Sequence, residues 1–329
     1  MSVVLVFVFV FAIIFEFING FHDTANAIAT TVFTRVLTVG KAIILAACMN
    51  FVGALVSENV AKTITAGIVS IDIEEYVVVG ALIGAIIWNL FTWWRSIPSS
   101  SSHALIGSLI GATVVYSLSF QGIQWDGILQ KVIIPLVTSP VMGFILALFF
   151  MKLVNRIFAH HPRKKVNGVF RRLQLLSAAL VAFSHGSNDA QKTMGIITLA
   201  LITANILPVG SGVPIWVKII CAAAMAAGTA TGGRRIMKTM GGKVTKLNNA
   251  GGFVSETSSA LVIQSMSMIG APISTTQVIS AAVMGVGAAK RLKSVKWKTV
   301  GNIAITWVVT LPATAILGGL AVFIIQLFV

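Results

Sequence analysis

The stretch INGFHDTANAIATTVFTR, residues 18–35, decides the fold because it places polar groups inside an apolar run that begins at Val3. His22, Asp23 and Asn26 follow a long series of side chains that favour lipid or a protein core. A carboxylate in a membrane-spanning segment is costly unless it faces a cavity or a partner. The stretch therefore indicates a membrane helix that carries a polar site at Asp23.

The composition indicates that many more segments cross the membrane. Of the 329 residues, 57% are hydrophobic and 10% are charged, whereas soluble domains carry about a quarter charged residues. Apolar runs long enough to cross the ~30 Å hydrocarbon core as helices recur along the chain. Because the backbone must satisfy its own hydrogen bonds in lipid, we predict an all-α polytopic membrane protein. Cys48 and Cys221 lie in apolar segments, so we expect buried free thiols.

The basic residues follow loops and so report the orientation of the chain. Residues 35–41, 152–172, 234–246 and 290–298 hold most of the Lys and Arg and no acidic residue. Such short basic loops mark the cytoplasmic side, and attraction to anionic lipid is a secondary effect. The net charge of +15 therefore does not indicate a nucleic-acid partner. We expect a cytoplasmic linker at 152–172, with both termini outside.

The order of segments recurs at half the chain length, which indicates a duplication. Residues 3–34 form an apolar stretch that we expect to break at 19–23, and 77–118 form two arms around SIPSSSSHA. In the second half, 173–205 is interrupted by SHGSNDAQK, and 252–289 form two arms around GAPISTTQV. The broken helix and the hairpin are therefore each expected twice.

Three local matches occur in the same order in the two halves. GFHD matches GSND, VAKTI (60–64) matches IMKTM (236–240), and PSSSSH matches PISTTQ. These matches align Asp23 with Asp189 and Asn26 with Lys192. The basic loops give the halves opposite orientations, so we predict an N-terminal repeat at 1–151 and an inverted repeat at 173–329. Inverted repeats with broken helices are typical of secondary transporters, whose site lies near the bilayer midplane.

Asp23 and Asp189 are the strongest candidates for a functional role. An aspartate at a helix break can ligate Na⁺ or accept a proton, together with freed backbone carbonyls. The simpler alternative is a helix cap that makes a structural hydrogen bond. The appearance of the acid at matching positions in both halves favours the functional role.

The two hairpin tips are predicted to bind an anion. Each tip follows a proline and offers hydroxyl groups at the start of the outgoing helix, where free N–H groups and the helix dipole favour negative charge. Two such tips could hold a tetrahedral oxyanion from opposite sides. Capping of buried helices by Ser and Thr is the alternative, and it uses the same geometry.

For Lys192 and three glutamates the sequence leaves alternative roles open. A lysine in an apolar segment is usually paired, so Lys192 could bind Asp189, face the anion or replace a second cation; snorkelling to the interface is the alternative. Glu256 lies in a hairpin arm and should be buried. Glu58 ends a helix and could be an outer-surface charge. Glu16 could be a partner of His22 or a coupling carboxylate.

Four motifs, GFHDTANAIAT, HGSNDAQKTMGI, PSSSSH and PISTTQ, resemble the paired signatures of the PiT inorganic phosphate transporter family over nearly the whole chain. The resemblance implies re-entrant hairpins and cation-coupled uptake of phosphate, and it places Glu58 and Glu256 where members carry functionally important acids. With Lys192 added, the substrate-binding candidates are Asn26, Ser100, Ser101, Ser102, Lys192, Ser274, Thr275 and Thr276. The cation-coupling candidates are His22, Asp23, Glu58, Asn188, Asp189 and Glu256.

This chain also departs from the sodium-coupled members, which carry a motif similar to GANDVANA in both halves. Its His22 and its Gln191–Lys192 pair are similar to the bacterial branch, which is often proton-coupled and takes phosphate as a neutral metal complex. H⁺ and Na⁺ therefore both stay open as coupling ions, with Asp23 and Asp189 as the candidate Na⁺ ligands, and Lys192 argues against two equivalent sodium sites. No cofactor is expected, although a divalent metal–phosphate complex is a candidate form of the substrate. We expect a location in the plasma membrane and leave a homodimer open.

Other functions are weighed against phosphate symport. Hydroxyl-rich tips do not distinguish sulfate from phosphate, so a transporter of another tetrahedral oxyanion is the main alternative. A channel is less favoured, because paired broken helices with closed tips are typical of transporters. The sequence has no Walker loop, nucleophile elbow or dinucleotide fingerprint, so we do not expect an enzyme.

Overall fold

The computed structural model describes residues 2–69, 73–231, 245 and 247–328, without the side chains of Ala25, Asn26 and Arg163. Within these ranges the helices are α1 (Val3–Phe33), α2 (Val39–Val56), α3 (Asn59–Ala66), α4 (Glu75–Trp94), α5 (Ser101–Ser117), α6 (Trp125–Ile157), α7 (Arg163–Thr203), α8 (Ile215–Thr231), α9 (Asn249–Met268), α10 (Thr275–Lys290) and α11 (Trp297–Gln326). A π-helical segment, Leu129–Ile133, lies inside α6.

Six of the described helices, α1, α2, α4, α6, α7 and α11, are long and apolar enough to cross a membrane. Helix α11 shows how they meet lipid: its Ile305, Val308 and Ile316 are exposed, whereas Thr310 and Thr314 are buried. Small and weakly polar residues inside with apolar residues outside are typical of helices packed in a bilayer. The predicted all-helical, multi-pass membrane fold is confirmed.

The predicted breaks in the two long helices are corrected by the structure. α1 runs without interruption through 19–23, and α7 runs through SHGSNDAQK. Neither helix contains a proline. The polar side chains in these stretches bond to other helices, so the backbone hydrogen bonds within α1 and α7 are undisturbed. Gly20 and Gly186 serve close packing: a Cβ on Gly186 would lie 2.6 Å from the Asn50 Cα.

Both hairpins are present, and their tips have the same local geometry. α4 and α5 pack together, as do α9 and α10. The Ser100 Oγ caps α5 by accepting a hydrogen bond from the His103 N–H at 3.2 Å. The Ser274 Oγ caps α10 in the same way, with the Gln277 N–H at 3.3 Å. The two-armed segments are therefore observed, while their re-entry into the bilayer stays a prediction.

Equivalent helices of the two halves make equivalent contacts, and each of them packs on a helix of the other half. α5 packs on α11 as α10 packs on α6, and α8 packs on α1 as α2 packs on α7. Matched glycines permit these approaches, since an added Cβ would meet a backbone carbonyl of the partner helix in each case. The glycine–carbonyl pairs are Gly228–Phe17 and Gly53–Phe183, then Gly111–Ala315 and Gly285–Phe144.

The two hairpins approach α1 from its opposite ends. The first begins beside the N-terminal end, where the Ser2 hydroxyl bonds to Glu75. The second begins beside the C-terminal end, where the Asn249 side-chain amide donates to the Thr34 carbonyl at 3.3 Å. Both tips meet α1 at Asp23, between these ends. An inverted repeat requires this arrangement.

The junction of the halves is short. α6 ends at Ile157 and α7 begins at Arg163, so most of the basic 152–172 linker is helical. The repeat boundaries at 151 and 173 stay a prediction. The IMKTM segment, which the repeat alignment pairs with VAKTI, lies outside the described residues.

Candidate functional site

Asp23 lies on α1 with both carboxylate oxygens engaged. The His22 Nδ1 lies 2.8 Å from Oδ1, and the Thr276 hydroxyl donates to the same oxygen at 3.2 Å. The Ser101 hydroxyl donates to Oδ2. The Asp23 side chain is 2% exposed, so these three neighbours replace water. They come from α1 itself and from the first turns of α5 and α10, one in each hairpin.

Asp189 on α7 has more basic surroundings. The Lys192 ammonium bonds to Oδ1, and the Thr275 hydroxyl donates to Oδ2 at 2.9 Å. The His185 Nε2 lies 3.0 Å from Oδ2, and its Nδ1 lies 3.2 Å from the Asn50 Oδ1. The spacings of three and four residues put Lys192 and His185 on the same face of α7 as the aspartate. Of the alternatives weighed for Lys192, pairing with Asp189 is therefore observed.

The two carboxylates belong to one closed ring of contacts. Lys192 bonds to the Ser102 hydroxyl and, at 3.0 Å, to the Ile273 carbonyl. Ser102 also donates to the Ile273 carbonyl at 2.9 Å, so the two hairpin tips touch. Since Ser101 and Ser102 are chain neighbours, as are Thr275 and Thr276, the contacts return to their starting point. We name this set the central ring: Asp23, Ser101, Ser102, Asp189, Lys192, Thr275 and Thr276.

The central ring lies between two helix N-termini. α5 begins at Ser101 and α10 begins at Thr275, so the positive ends of both helix dipoles lie at the ring. Together with the Lys192 ammonium, these ends stabilise negative charge at this point. Every side chain of the ring is at most 2% exposed. The conformation is therefore closed, and a ligand can reach the ring only when helices move.

Three further site candidates support the ring rather than join it. The Asn188 amide donates to Ser267 at 2.8 Å and to the Ala271 carbonyl at 3.2 Å, which holds the second hairpin against α7. Ser100 and Ser274 cap the tip helices, as described above. The side chain of Asn26 lies outside the described residues.

Glu256 forms a second buried cluster with four neutral donors. Its Oε1 accepts from Thr30 at 2.6 Å, from Thr31 at 2.8 Å and from the Gln174 amide at 3.0 Å. Its Oε2 accepts from Ser177 at 2.5 Å. Thr30 lies two helical turns beyond Asp23 on α1, about 10 Å along the axis. Glu256 is therefore buried as expected, but it stands apart from the central ring.

Glu58 is tied to two lysines at the start of α3. Its carboxylate lies 2.8 Å from Lys62 and 2.9 Å from Lys218 of α8, and its side chain is 27% exposed. Hydrogen bonds to these two ammonium groups lower the pKa of Glu58 to about 2. Glu58 thus links α3 to α8 and does not contact the central ring.

Sequence reasoning missed several members of the buried network. His185 precedes Asp189 by four residues, and this helical spacing is the signal that could have identified it. Asn19 accepts a hydrogen bond from Ser101 at 2.8 Å. Thr193 bonds to Glu16 across the interface of α7 and α1, which no local pattern predicts. Among the described residues, no group of three or more His, Cys, Asp or Glu is arranged to hold a metal ion.

Comparison with known proteins gives a consistent result. Residues 19–318 match PHO4, described as the phosphate transporter family. The chain is 47% identical over 319 residues to a probable low-affinity inorganic phosphate transporter of Bacillus subtilis (strain 168), covering 96% of this chain and 95% of the relative. It is 46% identical to a protein of the same description from Rhizobium meliloti (strain 1021), covering 95% and 93%.

A solved structure described as the sodium-dependent phosphate transporter has the same fold. It superposes with a TM-score of 0.90 at 26% sequence identity, and the match covers 100% of both chains. The fold and the relatives are those of transporters, which confirms the prediction that the chain is not an enzyme.

Proposed function

The chain belongs to the phosphate transporter family, and from this premise we propose that it imports inorganic phosphate across the plasma membrane as a cation-coupled symporter. The observation that carries the proposal is the central ring, in which both aspartates, one lysine and both hairpin tips meet in a single buried network. The resemblance noted in the four motifs is confirmed by the family match.

The ring supplies the groups that a phosphate anion needs. The four hydroxyls of Ser101, Ser102, Thr275 and Thr276 now donate to carboxylates or a carbonyl. When the hairpins separate from the long helices, these hydroxyls and the free N–H groups of α5 and α10 can turn to phosphate oxygens. Lys192 offers a full positive charge at the same point. Phosphate at neutral pH also carries a proton that an aspartate can accept, and sulfate does not.

The two aspartates are unequal as coupling sites. At Asp189, nitrogen groups of Lys192 and His185 occupy both oxygens, so a sodium ion would have to displace a cationic side chain. The same ammonium stabilises the ionised carboxylate, so Asp189 is the counter-ion of Lys192 rather than a proton acceptor. At Asp23, the hydroxyl oxygens of Ser101 and Thr276 accompany the carboxylate, and sodium takes such oxygen ligands. We propose that the coupling ion, H⁺ or Na⁺, binds at Asp23, while Asp189 holds Lys192 at the site.

The closed state of the ring supports transport by alternating access. Since the ring is buried from both sides, phosphate enters only if one hairpin opens while the other stays closed. The hairpins approach from opposite ends of α1, so each hairpin is placed to act as the gate on one side of the membrane. Cation binding compensates the negative charge of phosphate in the closed cavity.

Uptake of labelled phosphate into liposomes that contain the purified protein tests this function. Imposing pH and Na⁺ gradients separately identifies the coupling ion, and omitting Mg²⁺ tests the metal–phosphate form. We expect accumulation driven by the pH gradient and weak competition by sulfate. Absence of gradient-driven phosphate uptake would overturn the proposal, and uptake of labelled sulfate at an equal rate would favour the broader oxyanion transporter.

A further inference from the structure

A third buried carboxylate lies near the central ring but outside it. Glu16 is 0% exposed and precedes Asp23 by seven residues, so it lies on the same face of α1, about 10 Å nearer the N-terminal end. The Thr193 hydroxyl donates to Glu16 Oε2, and the Asn19 side chain is the second hydrogen-bonding neighbour, so Glu16 has neutral partners. Among the described residues, no Lys, Arg or His lies within ion-pair distance of Glu16.

The Glu16–Thr193 pair is not part of the duplicated scaffold. The alignment that matches Asp23 with Asp189 places Ala182 opposite Glu16 and Ala27 opposite Thr193. The equivalent positions on α1 and α7 are therefore held by two buried alanines. A buried acid that the scaffold does not need, in one half only, points to a role in the transport cycle.

We propose that Glu16 is a proton-binding site of the transport cycle. A buried carboxylate without a cationic partner is costly when ionised, whereas a neutral carboxyl group is tolerated. Glu16 takes its proton from water on the side of the N-terminal end of α1 and holds it in the closed state. It releases the same proton to water after the ring has opened to the other side. This inference rests on the proposed symport of phosphate.

The position of Glu16 connects its charge to the ring. Thr193 follows Lys192 directly on α7, and Lys192 bonds to both Asp189 and Ser102. The titratable groups that act on Glu16 are Asp189 and Lys192 of α7 and Cys221 of α8. On α4, which also packs on α1, Glu75 lies at the far end and bonds to Ser2. When Glu16 loses its proton, the site gains a second negative charge that is attracted to the Lys192 ammonium and so weakens its interaction with Asp189.

Glu16→Gln in liposomes separates coupling from phosphate binding. The glutamine keeps the shape and the acceptor for Thr193 but cannot release a proton. We expect phosphate–phosphate exchange to stay within about twofold of the wild type, because exchange needs no net proton movement. Accumulation driven by a pH gradient of one unit should fall by about tenfold for the one coupled proton that is lost. Thr113→Val, which removes another buried hydroxyl outside the ring, should leave both activities unchanged.

A failure of the proposed function would look different, because the wild-type protein would then show neither phosphate exchange nor gradient-driven accumulation. Full gradient-driven accumulation by Glu16→Gln would overturn the proton site. Loss of exchange along with accumulation, in a variant with the melting temperature of the wild type, would overturn it too. If Glu16→Gln does not fold, Thr193→Val tests the same site: the ionised carboxylate then loses its closest donor, so accumulation should fall while exchange persists.

Discussion

At the scale of single residues, the Asp189–Lys192 pair shows why buried charges occur in matched sets. Both side chains are at most 1% exposed, so neither charge is solvated by water. Removing one member leaves the other charge buried and unpaired, which costs far more than the pair contributes. The pair therefore has to be tested as a unit.

Asp189→Asn and Lys192→Met should each destabilise the protein by roughly 3–5 kcal/mol, because each leaves one uncompensated buried charge. The double variant should recover much of that loss, since no isolated charge remains, yet it should not transport. Thermal unfolding in detergent measures the stability, and liposome uptake measures the activity. Additive losses in the double variant would contradict the pairing.

The contribution of Glu58 to stability should depend on pH only in acid. Its pKa of about 2 in the folded protein lies below the ordinary 4.5, so the ion pairs with Lys62 and Lys218 contribute fully above pH 4.5. The contribution falls as the pH drops from 4.5 towards 2. Because the side chain is partly exposed, Glu58→Gln should cost only about 1 kcal/mol.

Unfolding of wild type and Glu58→Gln across the pH range checks this expectation. The difference between the two proteins should be equal at pH 6 and pH 8 and should shrink below pH 4.5. Since Glu58 does not titrate near neutrality, Glu58→Gln should also leave the pH dependence of phosphate uptake unchanged between pH 6 and pH 8. A difference that grows on acidification would contradict the assignment.

At the scale of secondary-structure elements, the hairpins were predictable and the continuity of α1 and α7 was not. A proline followed by a run of hydroxyl residues between two apolar arms specifies a tip and a capped helix, whatever surrounds it. The state of residues 19–23 depends instead on partners far along the chain, such as Ser101 and Thr276 for Asp23. Local polarity alone cannot distinguish a break from a helix whose polar groups are bonded to its neighbours.

The same limit applies to the site. Asp23, Asp189 and the tip hydroxyls could be found because they recur in both halves. The Glu16–Thr193 contact occurs once and joins two helices across the repeat interface, so the internal duplication of the sequence does not indicate it. The position of Glu256 two turns from the ring likewise follows from packing against Thr30 and Thr31.

Two glycines should respond in opposite ways to the same substitution. Gly111 faces the Ala315 backbone, so Gly111→Ala pushes α5 away from α11 and should cost about 1–3 kcal/mol. Gly301 in α11 is exposed and has no atom within 4 Å of an added Cβ. Gly301→Ala should therefore stabilise the helix by roughly 0.5–1 kcal/mol. Melting temperatures in detergent decide the signs, and a loss of similar size at both positions would contradict the described packing.

At the scale of the whole molecule, the closed ring implies that transport requires the hairpin tips to part. Ser102 and Ile273 are in direct contact across the two tips. Cysteines at both positions, in a background without Cys48 and Cys221, should form a cross-link that blocks uptake, and reduction should restore it. Uptake by each single-cysteine variant should be the same under oxidising and reducing conditions. Full transport by the cross-linked protein would show that the tips move as one body.

The central claim is that Asp23 and Asp189 serve one shared site for phosphate and its coupling ion. Its most direct test is proton-driven uptake of labelled phosphate by Asp23→Asn, Asp189→Asn and the double variant in the same liposomes. We predict that each single substitution lowers accumulation by at least about tenfold and that the double variant is no worse than the poorer single one. Wild-type accumulation by either single variant, or losses that multiply in the double variant, would contradict a shared site.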